Sequence, residues 1–136
     1  MLEQNLFVEK VLPSMVMRTM SDDELAEYRR PYLEPGENRR AMRAWPQELP
    51  INGEPTDNVA AIQAYADWLS ESDVPKLFIN GDPGMSLVDA QREFCRSLPN
   101  QHEITVSGHH NLPEDSPVEI GMAVAQFVKD VRGAKY

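Results

Sequence analysis

At 136 residues the chain has the length of one small domain, and 41% hydrophobic residues make its composition globular and not disordered. Its 22 acidic side chains against 13 basic ones leave a net charge of −9, which repels phosphate backbones and argues against nucleic acid as a partner. Cys95 is the one cysteine, so an internal disulfide is excluded. No apolar run approaches the ~20 residues of a bilayer span, and the N-terminus lacks the basic and apolar regions of a signal peptide. The expectation is a soluble, cytoplasmic protein without a membrane partner.

In chain order, Leu2, Leu6, Phe7, Val11 and Leu12 recur at helical spacing and predict a helix that stops at Pro13. Ser21 followed by Glu24 is a capping box, and the helix it opens, with Leu25 and Tyr28 on one face, is expected to end near Pro31. Residues 33–55 hold Pro35, Gly36, Pro46, Pro50, Gly53 and Pro55, which excludes one long helix. A short basic helix around Arg39 to Arg43 followed by an irregular segment fits better.

The pattern then changes. Val59, Ile62, Ala66 and Leu69 predict a helix capped by Thr56 or Asp57. Val74 to Ile79 reads as a short buried strand, broken by Asn80-Gly81 and Pro83-Gly84. Ser86 is expected to open a helix with Leu87, Ala90, Phe94 and Leu98 on one side, and Cys95 reads as a small buried hydrophobe on it. Ile104 and Val106 alternate with polar neighbours, so 102–107 reads as a strand. Ser116, Pro117 and Glu119 form a helix start, and the last helix is expected to bury Ile120, Val124, Phe127 and Val131. The order helix, strand, helix, strand, helix implies an α/β fold with parallel strands and helical crossovers. Two parallel strands make a poor sheet alone. The chain therefore reads as part of a larger α/β domain, with the helix-and-loop first half an insertion feeding into it.

Ligands in open α/β sheets sit beyond the carboxyl ends of the strands. Two loops occupy that position, Asn80 to Ser86 and Gly108 to Asp115, and the second holds His109 and His110. A histidine after the last strand fits the order nucleophile, acid, histidine of α/β-hydrolases; an exposed loop histidine without a role is the alternative. His102, at a strand start, reads as ordinary surface. Adjacent loop histidines point apart, and no Cys/His cluster or H-E-x-x-H accompanies them, so no metal is expected. There is no G-x-S-x-G elbow, P-loop or G-x-G-x-x-G, and a lone histidine needs a nucleophile to assist. Trp45-Pro46 is open to two readings, packing or the wall of a pocket under a cap.

Read in series, these segments resemble the haloalkane dehalogenases. The resemblance is carried by Asn5 to Pro13, by Glu27 to Tyr32 with its Arg-Arg-Pro-Tyr, by Ala44-Trp45-Pro46-Gln47-Glu48-Leu49-Pro50-Ile51, and by Gly53-Glu54-Pro55. It continues through Val74 to Asn80, Pro83-Gly84, Ser97-Leu98-Pro99-Asn100, Gly108-His109-His110 and Glu114-Asp115-Ser116-Pro117. It is strongest to the branch containing the hexachlorocyclohexane dehalogenase and the sea-pansy coelenterazine luciferase.

The resemblance implies the C-terminal portion of an α/β-hydrolase fold: residues 1–54 a helical cap portion, and 55–136 the last two parallel strands of the core with their flanking helices. It maps the catalytic histidine onto His110. It maps Phe7, Val11, Met15 and Trp45 onto pocket or tunnel lining, together with Pro46, Leu49 and Ser86. Asn111 stands where the family has an aromatic residue, putting a polar group on the pocket wall, and Pro113 replaces a usual Gln; Met15 and Ser86 alter the tunnel mouth. The family's nucleophilic Asp, the Trp beside it, its halide-binding Asn and the acidic partner of the histidine are expected to precede Met1. Asp82 is a possible alternative acid. The implied activity is hydrolysis of a small halogenated hydrocarbon to alcohol and halide, without a cofactor, with the N-terminal portion of the fold as the missing partner. A coelenterazine-type luciferase relative and a truncated, non-catalytic protein are the alternatives.

Overall fold

The computed structural model describes residues 3–133. The chain divides into two compact units, the first made of Met1–Ser14 and Arg18–Ala66, the second of Met15–Met17 and Asp67–Tyr136.

The first unit is helical. A π-helical turn, Phe7–Val11, runs into α1 (Leu12–Ser14). Leu2 lies outside the described residues. The helix passes Pro13 and ends one residue later. Proline removes one N–H donor, and near a helix end that loss is tolerated. α2 (Asp22–Arg29) starts as expected: Ser21 Oγ accepts from Glu24 N–H at 3.3 Å, while the Glu24 carboxylate accepts from Ser21 N–H at 2.7 Å. A 3-10 turn, Arg30–Tyr32, closes it around Pro31.

A second 3-10 turn, Gly36–Arg39, leads into α3 (Arg40–Gln47). Here the expectation needs correction. Trp45 and Pro46 lie inside α3 and not in an irregular segment, because Pro46 sits one residue before the helix end. α4 (Thr56–Glu71) begins at Thr56, so Thr56 and Asp57 are helical residues and not caps. Val8, at 1% exposure, is buried with Leu12 and Met20. Arg39 is buried too, and its guanidinium donates to the carbonyls of Tyr32 (2.8 Å), Glu3 (2.7 Å) and Leu33 (3.0 Å).

The second unit is built on two parallel strands, β1 (Lys76–Pro83) and β2 (Gln101–Gly108), paired from Lys76–Gln101 to Pro83–Gly108. β1 continues through Asn80 and Gly81, which the sequence marks as breakers. Pairing with Thr105 and Val106 carries the strand past them. α5 (Asp89–Ser97) connects the strands, as a parallel pair requires. It starts at Asp89 with Val88 as N-cap, so neither Ser86 nor Leu87 is helical. A short α6 (Leu112–Asp115) precedes α7 (Pro117–Arg132).

Val16, Phe78 and Val106 are buried, but α4, α5 and α7 bury no residue fully. Val124 and Val131 are exposed, against expectation, while Ile120 and Phe127 are half-buried. Met122 is 70% exposed. Burying such a side chain is worth about 1.5–3 kcal/mol. The apolar faces are thus far larger than two strands can cover.

Candidate active site

The carboxyl ends of β1 and β2 lie side by side, Asp82 opposite Ser107 and Pro83 opposite Gly108, so the loops that follow leave the sheet together. Gly84 N–H donates to Gly108 O at 3.0 Å and ties the two loops at their base. Gly84 has φ +75°, and a Cβ there would sit 2.8 Å from Gly81 O, so glycine is required twice over. Arg92 reaches back from α5 and donates to Gly81 O (3.0 Å) and Pro83 O (3.3 Å).

The loop after β2 is anchored at every step. Ser116 Oγ donates to Ser107 O at 2.7 Å. That hydroxyl therefore does not cap α7, although Ser116 stands at the N-cap position as the sequence predicts. His109 N–H donates to Asp115 Oδ2 at 3.0 Å, and Met17 N–H donates to Asp115 Oδ1 at 2.8 Å. The N–H groups of His110 (3.1 Å) and Asn111 (3.0 Å) both donate to Met15 O.

On this frame His110 presents its ring. Nδ1 is hydrogen-bonded to Ser86 Oγ from the loop after β1, and Nε2 has no partner among the described residues. The pair has two chemical states. If Nδ1–H donates to the serine oxygen, Nε2 carries the lone pair and acts as a base. If the hydroxyl donates to Nδ1, Nε2 carries the proton. Ser86, His109 and His110 line a small cavity of about 160 Å³ with Ile79, Gly81 and Leu112. Asp82 makes no hydrogen bond or ion pair with His110; the ring's partner is Ser86.

The remaining residues singled out by the sequence divide between the units. Phe7, Trp45 and Pro46 line an apolar cavity of about 250 Å³ in the first unit with Tyr32, Ala41 and Met42, and Trp45 is 81% exposed. Val11 and Leu49 are not part of that lining. Met15 contributes its carbonyl to the His110 loop, and Asn111 its N–H. A larger opening of about 590 Å³ lies between the sheet, at Leu77, His102 and Ile104, and α7, at Phe127 and Asp130. It brings no base to a nucleophile and reads as an incompletely filled packing face. Cys95 is half-buried on α5, and burial, followed by the Glu103 charge, pushes its thiol pKa up, away from the reactive thiolate. Among the described residues no group of three or more His, Cys, Asp or Glu side chains could hold a metal ion.

Asp115, whose carboxylate accepts from both Met17 and His109 N–H, is a residue that sequence reasoning left without a role. The one signal available was a carboxylate a few residues beyond the Gly-His-His loop.

Two parallel strands, helical crossovers and a histidine on the loop after the last strand define a portion of an α/β-hydrolase fold. The comparisons with known proteins agree. The chain is 53% identical over 133 residues to a haloalkane dehalogenase of Sphingobium indicum and 52% identical over 133 residues to one of Mycolicibacterium smegmatis. It is 40% identical over 132 residues to the coelenterazine h 2-monooxygenase of Renilla reniformis. These alignments cover 98%, 96% and 96% of this chain, but 45%, 42% and 42% of the relatives. Among solved structures, wild-type DBJA superposes with a TM-score of 0.90 at 40% identity, covering 99% of this chain and 46% of that one. A crystal structure of an ancestral haloalkane dehalogenase gives 0.89 at 40% identity, covering 97% and 46%. No protein-family model matches. The chain is similar to haloalkane dehalogenases over nearly its whole length, and it spans somewhat under half the length of the relatives it matches.

Proposed function

We propose that this chain contributes to a hydrolytic haloalkane dehalogenase, with His110 as the base of its second half-reaction. The observation that carries the reading is the His110 ring in a chain 53% identical to a dehalogenase: Nδ1 is held by Ser86 Oγ, and Nε2 has no partner among the described residues. The carboxylate nucleophile, its halide donors and the acid that orients His110 belong, on this reading, to the part of the fold that the relatives have beyond the matched span. Residues 1–54 serve as a cap portion and 55–136 as core. On this reading Phe7, Val11, Trp45, Pro46 and Leu49 are wall residues contributed by the first unit, and Met15, Ser86 and Asn111 are wall residues contributed by the second. The surroundings are cytoplasmic.

The chemistry runs in two steps. An Asp carboxylate oxygen attacks the substrate carbon; a C–O bond forms and the carbon–halogen bond breaks, the halide leaving with the electron pair. Water then adds to the ester carbonyl as His110 Nε2 takes its proton. The acyl–oxygen bond breaks and the alcohol leaves with a proton. One haloalkane and one water give one alcohol, one halide and one proton. On this reading the nucleophile lies outside the matched span, so the chain alone should release no halide.

The test joins this chain to the rest of the fold from the Sphingobium indicum relative. His110→Phe or His110→Gln should give one equivalent of halide and then stop, with an alkyl adduct visible in the intact-protein mass. His109→Ala should turn over, since that residue contributes its backbone N–H to the loop. Normal turnover of the His110 variants, or an adduct trapped by the His109 variant, removes His110 from this role. Light emission with coelenterazine and no halide release would favour a luciferase.

A further inference from the structure

We propose that Asp115 is a positioning residue for His110, acting with the Met15–Met17 segment to fix the peptide frame that presents the imidazole. The proposal rests on the reading of His110 as the base. The His110 loop has three consecutive backbone donors, at His109, His110 and Asn111, and each is satisfied from outside the loop's own turn. Asp115 Oδ2 takes the first, and Met15 O takes the second and third. Asp115 Oδ1 then takes Met17 N–H, so one carboxylate joins the loop to the segment that holds the other two donors. The result is a closed ring of four hydrogen bonds around the His110 backbone.

Helix stability does not explain this carboxylate. Asp115 stands between α6 and α7, yet neither carboxylate oxygen accepts from a helix N–H: Oδ1 goes to Met17 and Oδ2 to His109, and α7 has no side-chain cap. Two further observations point to the frame itself. A Cβ at Gly108 would lie 2.7 Å from Leu112 Cδ2, 3.1 Å from Asp115 Cβ and 3.2 Å from Oδ2, so the carboxylate is packed closely against residue 108. Met15–Met17 group with the second unit although residues on both sides of them belong to the first. They are tied to the second unit by the hydrogen bonds to Asp115, His110 and Asn111, and Val16 between them is buried.

The test uses the joined enzyme, labelled for single-amide hydrogen exchange and with ¹⁵N-histidine. In the unmodified protein the Met17 and His109 amides should exchange at least tenfold more slowly than unprotected amides. Fast exchange there overturns the proposal before any variant is made. Asp115→Asn replaces one acceptor oxygen with an NH₂ that cannot accept. It should accelerate exchange tenfold or more at whichever of Met17 and His109 then faces the NH₂, and shift the His110 ring nitrogens, with β1–β2 protection unchanged. In turnover it should slow ester hydrolysis at least tenfold while leaving the halide burst and KM in place. Unchanged ring signals and exchange, or equal loss in both half-reactions, would reduce Asp115 to a structural residue. Failure of the base reading shows itself separately, as turnover by His110→Phe, and leaves the exchange result standing.

Discussion

The two units are held together by different means. In the first, short helices are tied by charged side chains. Arg29 clamps Glu9 through two bonds of 2.7 and 2.8 Å, Arg18 clamps Glu24 through bonds of 3.0 and 2.7 Å, and Arg39 gathers three carbonyls. In the second, strand pairing and loop-to-loop backbone bonds do most of the positioning. Side chains there bond chiefly to main chain, as Ser116, Arg92 and Asp115 do. Arg96, set between Glu93 and Glu103, and the Ser86–His110 and Asn80–Thr105 pairs are among the exceptions. A unit held by backbone presents a side chain at one fixed place, which is what a base requires.

Arg39→Met should have the largest effect on stability. It leaves the carbonyls of Glu3, Tyr32 and Leu33 without their donor, a loss of about 2–4 kcal/mol. Exchange protection should fall across the first unit and persist at β1 and β2 in the joined enzyme. Equal loss in both units would break the contrast.

Gly84→Ala is the matching test of the second unit. The left-handed backbone and the 2.8 Å approach to Gly81 O should cost about 1–3 kcal/mol. Its exchange signature should centre on Gly84 and Gly108, and a melting temperature equal to that of the unmodified protein would contradict it.

Ser86→Ala is expected to act on chemistry and not on stability. The residue is exposed, so melting should hardly move. The His110 ring nitrogens should shift as the Nδ1 partner is lost, and turnover should change by about tenfold or less, the size of one neutral hydrogen bond. Identical ring spectra would show that the serine plays no part in selecting the tautomer.

The smallest effect concerns Glu24. The Arg18 hydrogen bonds come first, and the Ser21 backbone and hydroxyl follow, in lowering its pKa from the ordinary 4.5 to about 2. Its folded value lies below its unfolded one. The stability it gives α2 is therefore present above pH 4.5 and is lost as pH falls through about 2. In a Glu24→Gln variant, α2 should lose that window, seen as a pH-independent amide signal for Ser21. A Ser21 amide that still titrates there would assign the effect to another group.

The features legible in the sequence are those that neighbouring residues settle among themselves. Ser21 and Glu24 lie three positions apart and cap each other without help, so α2 begins where the motif says. Ile104 and Val106 alternate because one face of β2 is covered, and the parallel order follows from the helix between the strands. The position of His110 after β2 was readable for the same reason.

What the sequence misjudged depended on a distant partner. Asn80-Gly81 reads as a break, but the strand continues because Thr105 and Val106 pair with it. Ser86 reads as a helix start, yet α5 begins at Asp89 and the Ser86 hydroxyl goes to His110 across 24 residues; Ser116 does stand at the N-cap of α7, but its hydroxyl goes to Ser107 O, 9 residues back. The union of Met17 with Asp115 spans 98 residues and leaves no periodicity behind. Local pattern thus determined the helices, the strand order and the loop that bears the histidine, because propensity and capping act over one or two turns. Only the tertiary structure decided which groups hold that histidine, because a hydrogen bond is selected by distance in space and not by distance along the chain.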